Sequence, residues 1–306
     1  MTQAHEIFAA PDAARATTVE VEDFATPDCG RAVKVLLRNP TALVGLFILA
    51  SIIAIAAVAP WLYPDDPLNM VARPLIWPGQ NLAYPLGTDS LGRDVAAGLA
   101  HGARVSLAVG FAATLISLTL GMTIGIVGGY FGGRWDAAAA RLIELFQTMP
   151  TFILLVALVA VAQPSIATIV FGIGVTTWPT VARLARAEFR SLRERDFVVA
   201  ARSLGYSDSR IILREILPNA LPPIIVTASV MVASAILMEA GLSFMGLGDP
   251  NVVSWGAMIG AGREFLRGAW YLTAIPGLAI VLTVLALNLV GDGLNDALNP
   301  RRQEER

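Results

Sequence analysis

Thirty-eight consecutive residues, Leu145 to Ala182, carry no charge. A single helix of that length would stand about 57 Å tall against a hydrocarbon core of about 30 Å, so it exceeds one crossing. The Gln163-Pro164-Ser165 break near its middle makes it a hairpin of two short spans. Ala42 to Leu62 gives a further uncharged run of twenty-one residues, and Val105 to Gly133 one of twenty-nine that ends in a glycine-rich stretch, Gly128 to Gly133, readable as a turn. A fifth span is expected from Pro223 to Leu247, interrupted only by Glu239, and a sixth from Ala269 to Gly291. Composition agrees: 55% of the 306 residues are apolar, 15% are charged and the mean hydropathy is +0.63, whereas soluble domains carry about a quarter charged residues. The runs are too long for buried helices and too differently spaced for barrel strands. The expected class is therefore all-α, a polytopic membrane protein with six transmembrane helices.

Six spans put both termini on one side. With odd-numbered spans going outward, the N-terminal tail, residues 134–141, residues 183–217 and the C-terminal tail hold seventeen basic residues, against five in 63–104 and 248–268. That asymmetry predicts cytoplasmic termini. The polar start of the chain lacks the apolar core of a removable signal peptide. A net charge of −2 argues against general nucleic-acid binding. The single cysteine, Cys29, excludes an intramolecular disulfide framework, and His5 and His101 have no ligand-spaced neighbours that would make a metal site.

The longest internal loop, 183–217, is patterned as well as polar. Asp196 can cap a short helix, Phe197 to Leu204, with Phe197, Ala200, Ala201 and Leu204 at helical spacing and Gly205 as its stop. Ser207 or Asp208 can cap a second one, Arg210 to Leu217, before Pro218. Such an element can rest on lipid headgroups, or it can present Ala200-Ala201 as a small-residue face to another protein.

From here the residues resemble a family: permease subunits of bacterial ABC importers, and within them the second, C-type permease of dipeptide, oligopeptide and nickel systems. Its loop signature is Glu-Ala-Ala, three residues, Gly, nine residues, then apolar-x-Leu-Pro. The counterpart here is Val199-Ala200-Ala201, Gly205 and Glu215-Ile216-Leu217-Pro218, with Val199 and Glu215 as departures. Further similar stretches are Leu86 to Asp94, Gly102 to Leu107, Tyr130-Phe131-Gly132-Gly133, Ser254 to Met258, Pro276 to Ile280 and Gly291 to Leu298. The resemblance implies a type I ABC importer transmembrane fold. Its expected boundaries are a tail at 1–34, a first helix and outer segment at 35–101, a permease core at 102–292 with a coupling loop at 187–218, and a tail at 293–306.

It also implies that Val199, Ala200, Ala201, Arg202, Ser203, Leu204, Gly205 and Pro218 form the coupling element that docks a cytoplasmic ATPase. The implied partners are a second homologous permease, two ATPases carrying ATP and Mg, an extracytoplasmic substrate-binding protein and membrane lipid. No cofactor is expected on this chain. It has no Gly-x-x-x-x-Gly-Lys-Ser/Thr phosphate loop, and its one lysine is Lys34. Peptides head the implied substrates, with nickel chelates and other small solutes open.

Within the spans, Glu239 is expected about eight residues, or roughly 12 Å, below the outer end of span five, either as a packing contact to Ser, Asn or Arg or on the pathway or its gate. Asn288 in span six has the same two readings. Gly121 and Gly125, with Gly128 close behind, suit a close helix crossing, within the subunit or against a second permease. Pro276-Gly277 predicts a kink. Two rivals are weighed against transport by an ABC permease. Gly241-Leu242-Ser243 prompts an intramembrane serine protease, yet no histidine lies within a span to act as base. An ion-coupled secondary transporter would show related halves and several midplane ionisable groups, and only Glu239 is present.

Overall fold

Local capping chemistry decides where the helices begin. In the computed structural model, which describes residues 29–298, α1 (Cys29–Leu36) leads to α2 (Pro40–Leu62), whose N-cap Asn39 accepts from the Thr41 and Ala42 N–H groups with Pro40 at the first helical position. His5 and most of both tails lie outside the described residues. Helix α3 (Val95–Phe131) starts ten residues before the expected Val105, because Asp94 caps it through Ala96 N–H at 2.8 Å. Its charge-bearing first turns bury Val95 to Gly98 and keep Arg104 on the exposed face. The expected turn at Gly128 to Gly133 is confined to its end: α3 runs through Gly128 and Gly129 and breaks only at Gly132 and Gly133, whose φ values are +67° and +53°.

Helices α4 (Gly133–Gln147) and α5 (Thr151–Ala162) follow, bent by 77° across a break ending in Pro150. The predicted hairpin break is present: Gln163 adopts φ +68°, and Ser165 caps α6 (Ile166–Leu192) through Thr168 N–H. After α7 (Asp196–Ser203) come α8 (Asp208–Phe244), the short α9 (Trp255–Gly262) with a 3-10 turn at Arg263–Phe265, and α10 (Tyr271–Leu298). Helices α2, α3, α6, α8 and α10 are each long and apolar enough to cross a membrane, and the bent α4–α5 pair brings the crossings to six when counted as one broken span.

Two proline readings are corrected. Pro218 does not end a helix, and span five does not begin at Pro223, because α8 is continuous from Asp208. The chain passes Pro218 by widening to a π turn at Ile211–Ile216, in which Leu217 N–H bonds Ile212 O. A wider turn relieves the pressure of a proline ring on the preceding turn, and Asn219 Nδ2 donates to the Glu215 carbonyl at 2.6 Å. Helix α10 contains Pro276 near its start, where the kink is expected, and continues through it.

The α3–α6 pairing is the most extensive in the molecule. It rests on a stripe of Gly121, Gly125 and Gly129, where a Cβ would come within 2.5 Å of Val181 Cβ, 2.6 Å of Ala182 O and 2.6 Å of Arg186 O. The glycine stripe is therefore an intrasubunit crossing, and Gly128 belongs to another contact, against Ala139 on α4.

Residues 63–94 form a turn-rich cap over one end of the helices. Within Leu86 to Asp94, Gly87 (φ +79°) and Gly92 (φ +82°) let the chain pass close to the Ile76 and Ala72 carbonyls. Thr88, fully buried, donates to Arg73 O at 2.8 Å and accepts from Ile76 N–H at 3.0 Å. Asp89 accepts from the Leu91 and Arg93 N–H groups. Burial pushes the Asp94 carboxyl above its ordinary value, although the Ala96 and Ala97 N–H groups oppose this. Tyr271, at the start of α10 and 1% exposed, fastens the cap by donating to Ile76 O at 3.0 Å and Thr88 O at 2.8 Å. Tyr271→Phe strips these carbonyls of a shared donor, so a loss of about 1–3 kcal/mol is expected, read as a lower melting temperature in detergent; an unchanged melting temperature would show the cap to be held by other contacts.

Candidate functional site

Helix α7 occupies the predicted stretch of the loop, shifted by one residue. Its N-cap is Arg195, no side chain caps it, and Asp196 sits in the first turn, where its charge favours the helix dipole. Its C-terminus is a complete Schellman motif: Gly205 at φ +76°, Tyr206 N–H to Ala201 O at 3.1 Å and Gly205 N–H to Arg202 O at 2.9 Å.

The helix has two faces. Val198 and Ala201 are buried with Phe189, Ile211 and Ile216. Val199 and Leu204 are 51% and 72% exposed, and Ala200, Arg202, Ser203 and Gly205 are exposed with them. The expected Ala200-Ala201 face is thus split, because adjacent residues on a helix point about 100° apart: Ala200 faces outward and Ala201 packs inward. Pro218 is half-buried within α8, outside α7 itself.

The support of α7 contains residues missed in the sequence. Tyr130, at the end of α3, donates its hydroxyl to Asp208 Oδ1 at 2.6 Å, and the Arg202 guanidinium lies 5.5 Å from its ring centre. Arg193 Nη1 donates to Tyr130 O at 3.2 Å. Asp136 on α4 pairs with Arg186 on α6 through two hydrogen bonds. The α7 loop is therefore tied to the end of α3 as well as to the helices on either side of it. The Tyr-Phe-Gly-Gly stretch was visible, but its partners lie 63 and 78 residues away.

At the opposite end, Glu239 is 2% exposed. Helix α8 ends at Phe244, so Glu239 is five residues, about 8 Å, from the helix end and shallower than expected. Ser243 Oγ donates to its Oε1 at 2.7 Å, and Ser106 Oγ on α3 to its Oε2 at 3.4 Å. Ser243, which prompted the protease reading, is hydrogen-bonded to a carboxylate. Helix α9 packs over this cluster: Gly256 meets the Ala240 backbone, and Trp255 Nε1 donates to Leu99 O at 2.9 Å. Nearby, Asp249 accepts from Asn251 and from Ile166 at the start of α6, and these N–H groups hold its carboxyl below the ordinary aspartate value. Asn288 is half-buried on α10, whereas the Glu239 carboxylate is hydrogen-bonded by Ser243 and Ser106. His101 Nε2 lies 2.9 Å from Tyr63 O, and among the described residues no group of three or more His, Cys, Asp or Glu is placed to hold a metal.

Glutamine can still accept from Ser243, so Glu239→Gln is expected to keep the fold and, in the permease role that the sequence resemblance implies, most uptake. Abolished uptake with normal assembly would instead put the carboxylate on the transport path.

Comparison with known proteins gives a consistent outcome. The chain is 39% identical to the di/tripeptide transport system permease protein DppC of Pseudomonas aeruginosa, covering 86% of this chain and 89% of that one. It is 42% identical to a probable peptide ABC transporter permease of Sinorhizobium fredii, covering 90% and 94%. Among solved structures, the fold is similar to a chain of the MetNI methionine ABC transporter, with TM-score 0.54, 18% identity and coverage of 66% of this chain and 96% of that one. Residues 30–83 match the N-terminal TM domain of oligopeptide transport permease C. With residues 121–304 matching its profile, the chain belongs to the family of binding-protein-dependent transport system inner membrane components.

Proposed function

We propose that this chain forms half of the transmembrane pathway of an ATP-driven peptide importer. The observation that carries the docking role is the two-faced α7, which is stopped at Gly205, buried on one side and open on the other. A docking element needs that combination, since a free helix of eight residues is not stable in water. The peptide assignment is supported by relatives named as di/tripeptide and peptide permeases that align over most of the chain.

In this reading the termini and α7 are cytoplasmic, in accord with the basic residues on that side. A second permease completes the pathway, and two ATPase subunits carry ATP and Mg. Val199, Ala200, Ser203 and Leu204 sit against an ATPase, whose closure moves α7 and, through Asp208–Tyr130 and Arg193, the end of α3. A loaded binding protein docks on the cap and on the outer segment around α9. Nucleotide-driven closure favours the outward-open state, and hydrolysis returns the pathway inward, as a population shift between two packings. The division proposed is a tail at 1–34, a first helix with cap at 35–101, a permease core at 102–292 and a tail at 293–306, although the second boundary falls within α3 and the third within α10.

The test is purification of the tagged chain from its native membrane in mild detergent, with mass spectrometry of every co-purifying protein and small molecule. A second permease with one or two ATPases and a trapped peptide is the expected result. A lone chain transporting without ATP would overturn the reading, and a trapped nickel chelate would change the substrate class.

A further inference from the structure

The end of α6 nearest α7 carries a cationic feature of which only Arg186 takes part in the support of α7, and none belongs to the Glu239 cluster. Arg183, Arg186, Ala187, Arg190 and Ser191 line an open cavity of about 470 Å³. Their spacing of i, i+3, i+4, i+7 and i+8 places them on one face of the helix. Arg186 is committed, since it pairs with Asp136 on α4. Glu144, the other acid on α4, pairs with Arg141. Arg183 and Arg190 are exposed on either side of Arg186, and no described residue forms an ion pair with them. The cavity thus holds two guanidinium groups outside any close ion pair, flanking the Arg186–Asp136 pair, with Arg190 near enough to help Arg186 hold the Asp136 carboxyl below its ordinary value.

Depth limits what can fill it. Counted from Ile166 at the far end of α6, Arg183 and Arg190 lie about 26 and 36 Å along the axis, on either side of the about 30 Å thickness of a hydrocarbon core. That is the level of headgroup phosphates. Beside it α4 runs back along α6, with Ile143 packed on Ala182 and Trp178, and Phe146 edge-on to Trp178 at 5.2 Å. Leu142 and Leu145 of α4 remain 39% and 65% exposed. Exposed guanidinium groups on one face of α6, with exposed leucines on the helix packed beside it, fit a basic lipid-headgroup site at the membrane surface.

We propose that this cavity binds the phosphate headgroup of an anionic phospholipid from the cytoplasmic leaflet. Arg183 and Arg190 donate to its oxygens, the Ser191 hydroxyl is available as a further donor, and the acyl chains lie along the exposed leucines of α4. Arg186 is a positioning residue that holds α4 against α6 through Asp136. The inference rests on the cytoplasmic placement of α7 proposed above.

The experiment uses the assembled complex in mild detergent, with retained phosphatidylglycerol measured by mass spectrometry per copy of this chain, so that it reads independently of which ATPases co-purify. Wild type is expected to retain phosphatidylglycerol above its bulk share. Arg183→Gln and Arg190→Gln should each lower retention about fivefold, and the double variant about thirtyfold. Arg183→Lys should restore most of it, and Arg141→Gln, altering an arginine already paired, should change nothing. If the double variant fails to assemble, wild type in phosphatidylcholine nanodiscs is compared with and without phosphatidylglycerol: a raised melting temperature, lost in the single variants, is expected, and no rise overturns the proposal. Equal retention in wild type and variants also overturns it. So does unchanged retention with a raised KM for a dipeptide but not for its C-terminally amidated form, a result that would assign the arginines to the cargo carboxylate.

Discussion

Replacing Gly125 by alanine is expected to cost about 3 kcal/mol or more and to remove most folded protein from detergent extracts. Helix propensity alone argues for the opposite sign, since alanine is preferred to glycine in a helix interior by about 1 kcal/mol. Packing decides because the added Cβ would stand 2.6 Å from Ala182 O and 2.7 Å from Ala185 Cβ, both rigid parts of α6. The two helices would have to separate along their most extensive contact. Gly277→Ala is the matched control: in α10 nothing lies within 4 Å of the new methyl, so propensity acts alone and stability is expected to hold or rise. Melting temperatures and folded yields of the two variants check this, and a stable Gly125→Ala protein would show that α3 and α6 can part without loss.

Gly205→Val tests the loop in a different way. A Cβ at Gly205 meets nothing within 4 Å, so no clash is involved. The cost comes from φ +76°, which an L-residue adopts at about 1–2 kcal/mol and a β-branched one less readily still. That lowers the weight of the native Schellman stop against unwound alternatives by about five- to thirtyfold. Insertion and assembly are expected to persist, because the spans do not depend on this turn, while peptide uptake in proteoliposomes falls steeply relative to ATP hydrolysis. Gly205→Asn, which tolerates the left-handed region, should lose much less. Full transport by Gly205→Val would remove the α7 terminus from the coupling mechanism.

These two glycines also mark what could be read along the chain. Gly205 is a local signal: a helix stop depends on the conformation of one residue and on hydrogen bonds within six, so α7 is found within one residue of its predicted place. The break at Gln163 to Ser165 and the long apolar spans are local in the same sense, because the bilayer sets their length. Gly125 carries no such information. Its spacing from Gly121 announces a close approach, but only the folded chain shows that α6 is the helix approached and that Gly129, not Gly128, completes the stripe.

The same division explains the corrections. Asp94 starts α3 early by its own bond to Ala96 N–H, a local signal hidden among charged residues, while the segment packed around it is held by Tyr271, 183 residues from Thr88. Pro218 is passed because Ile211 and Ile216 are buried against α6 and α7, contacts that offset the cost of a π turn. Glu239 is buried because α9, which sequence places in an outer loop, packs its glycines against α8. By itself the sequence determined the helical class, the membrane crossings and the form of the α7 loop, since hydropathy, length and capping act over a few turns. Which faces meet, where polar groups find their partners and which arginines stay unpaired were decided only by the tertiary structure, because those energies belong to contacts between residues far apart in the chain.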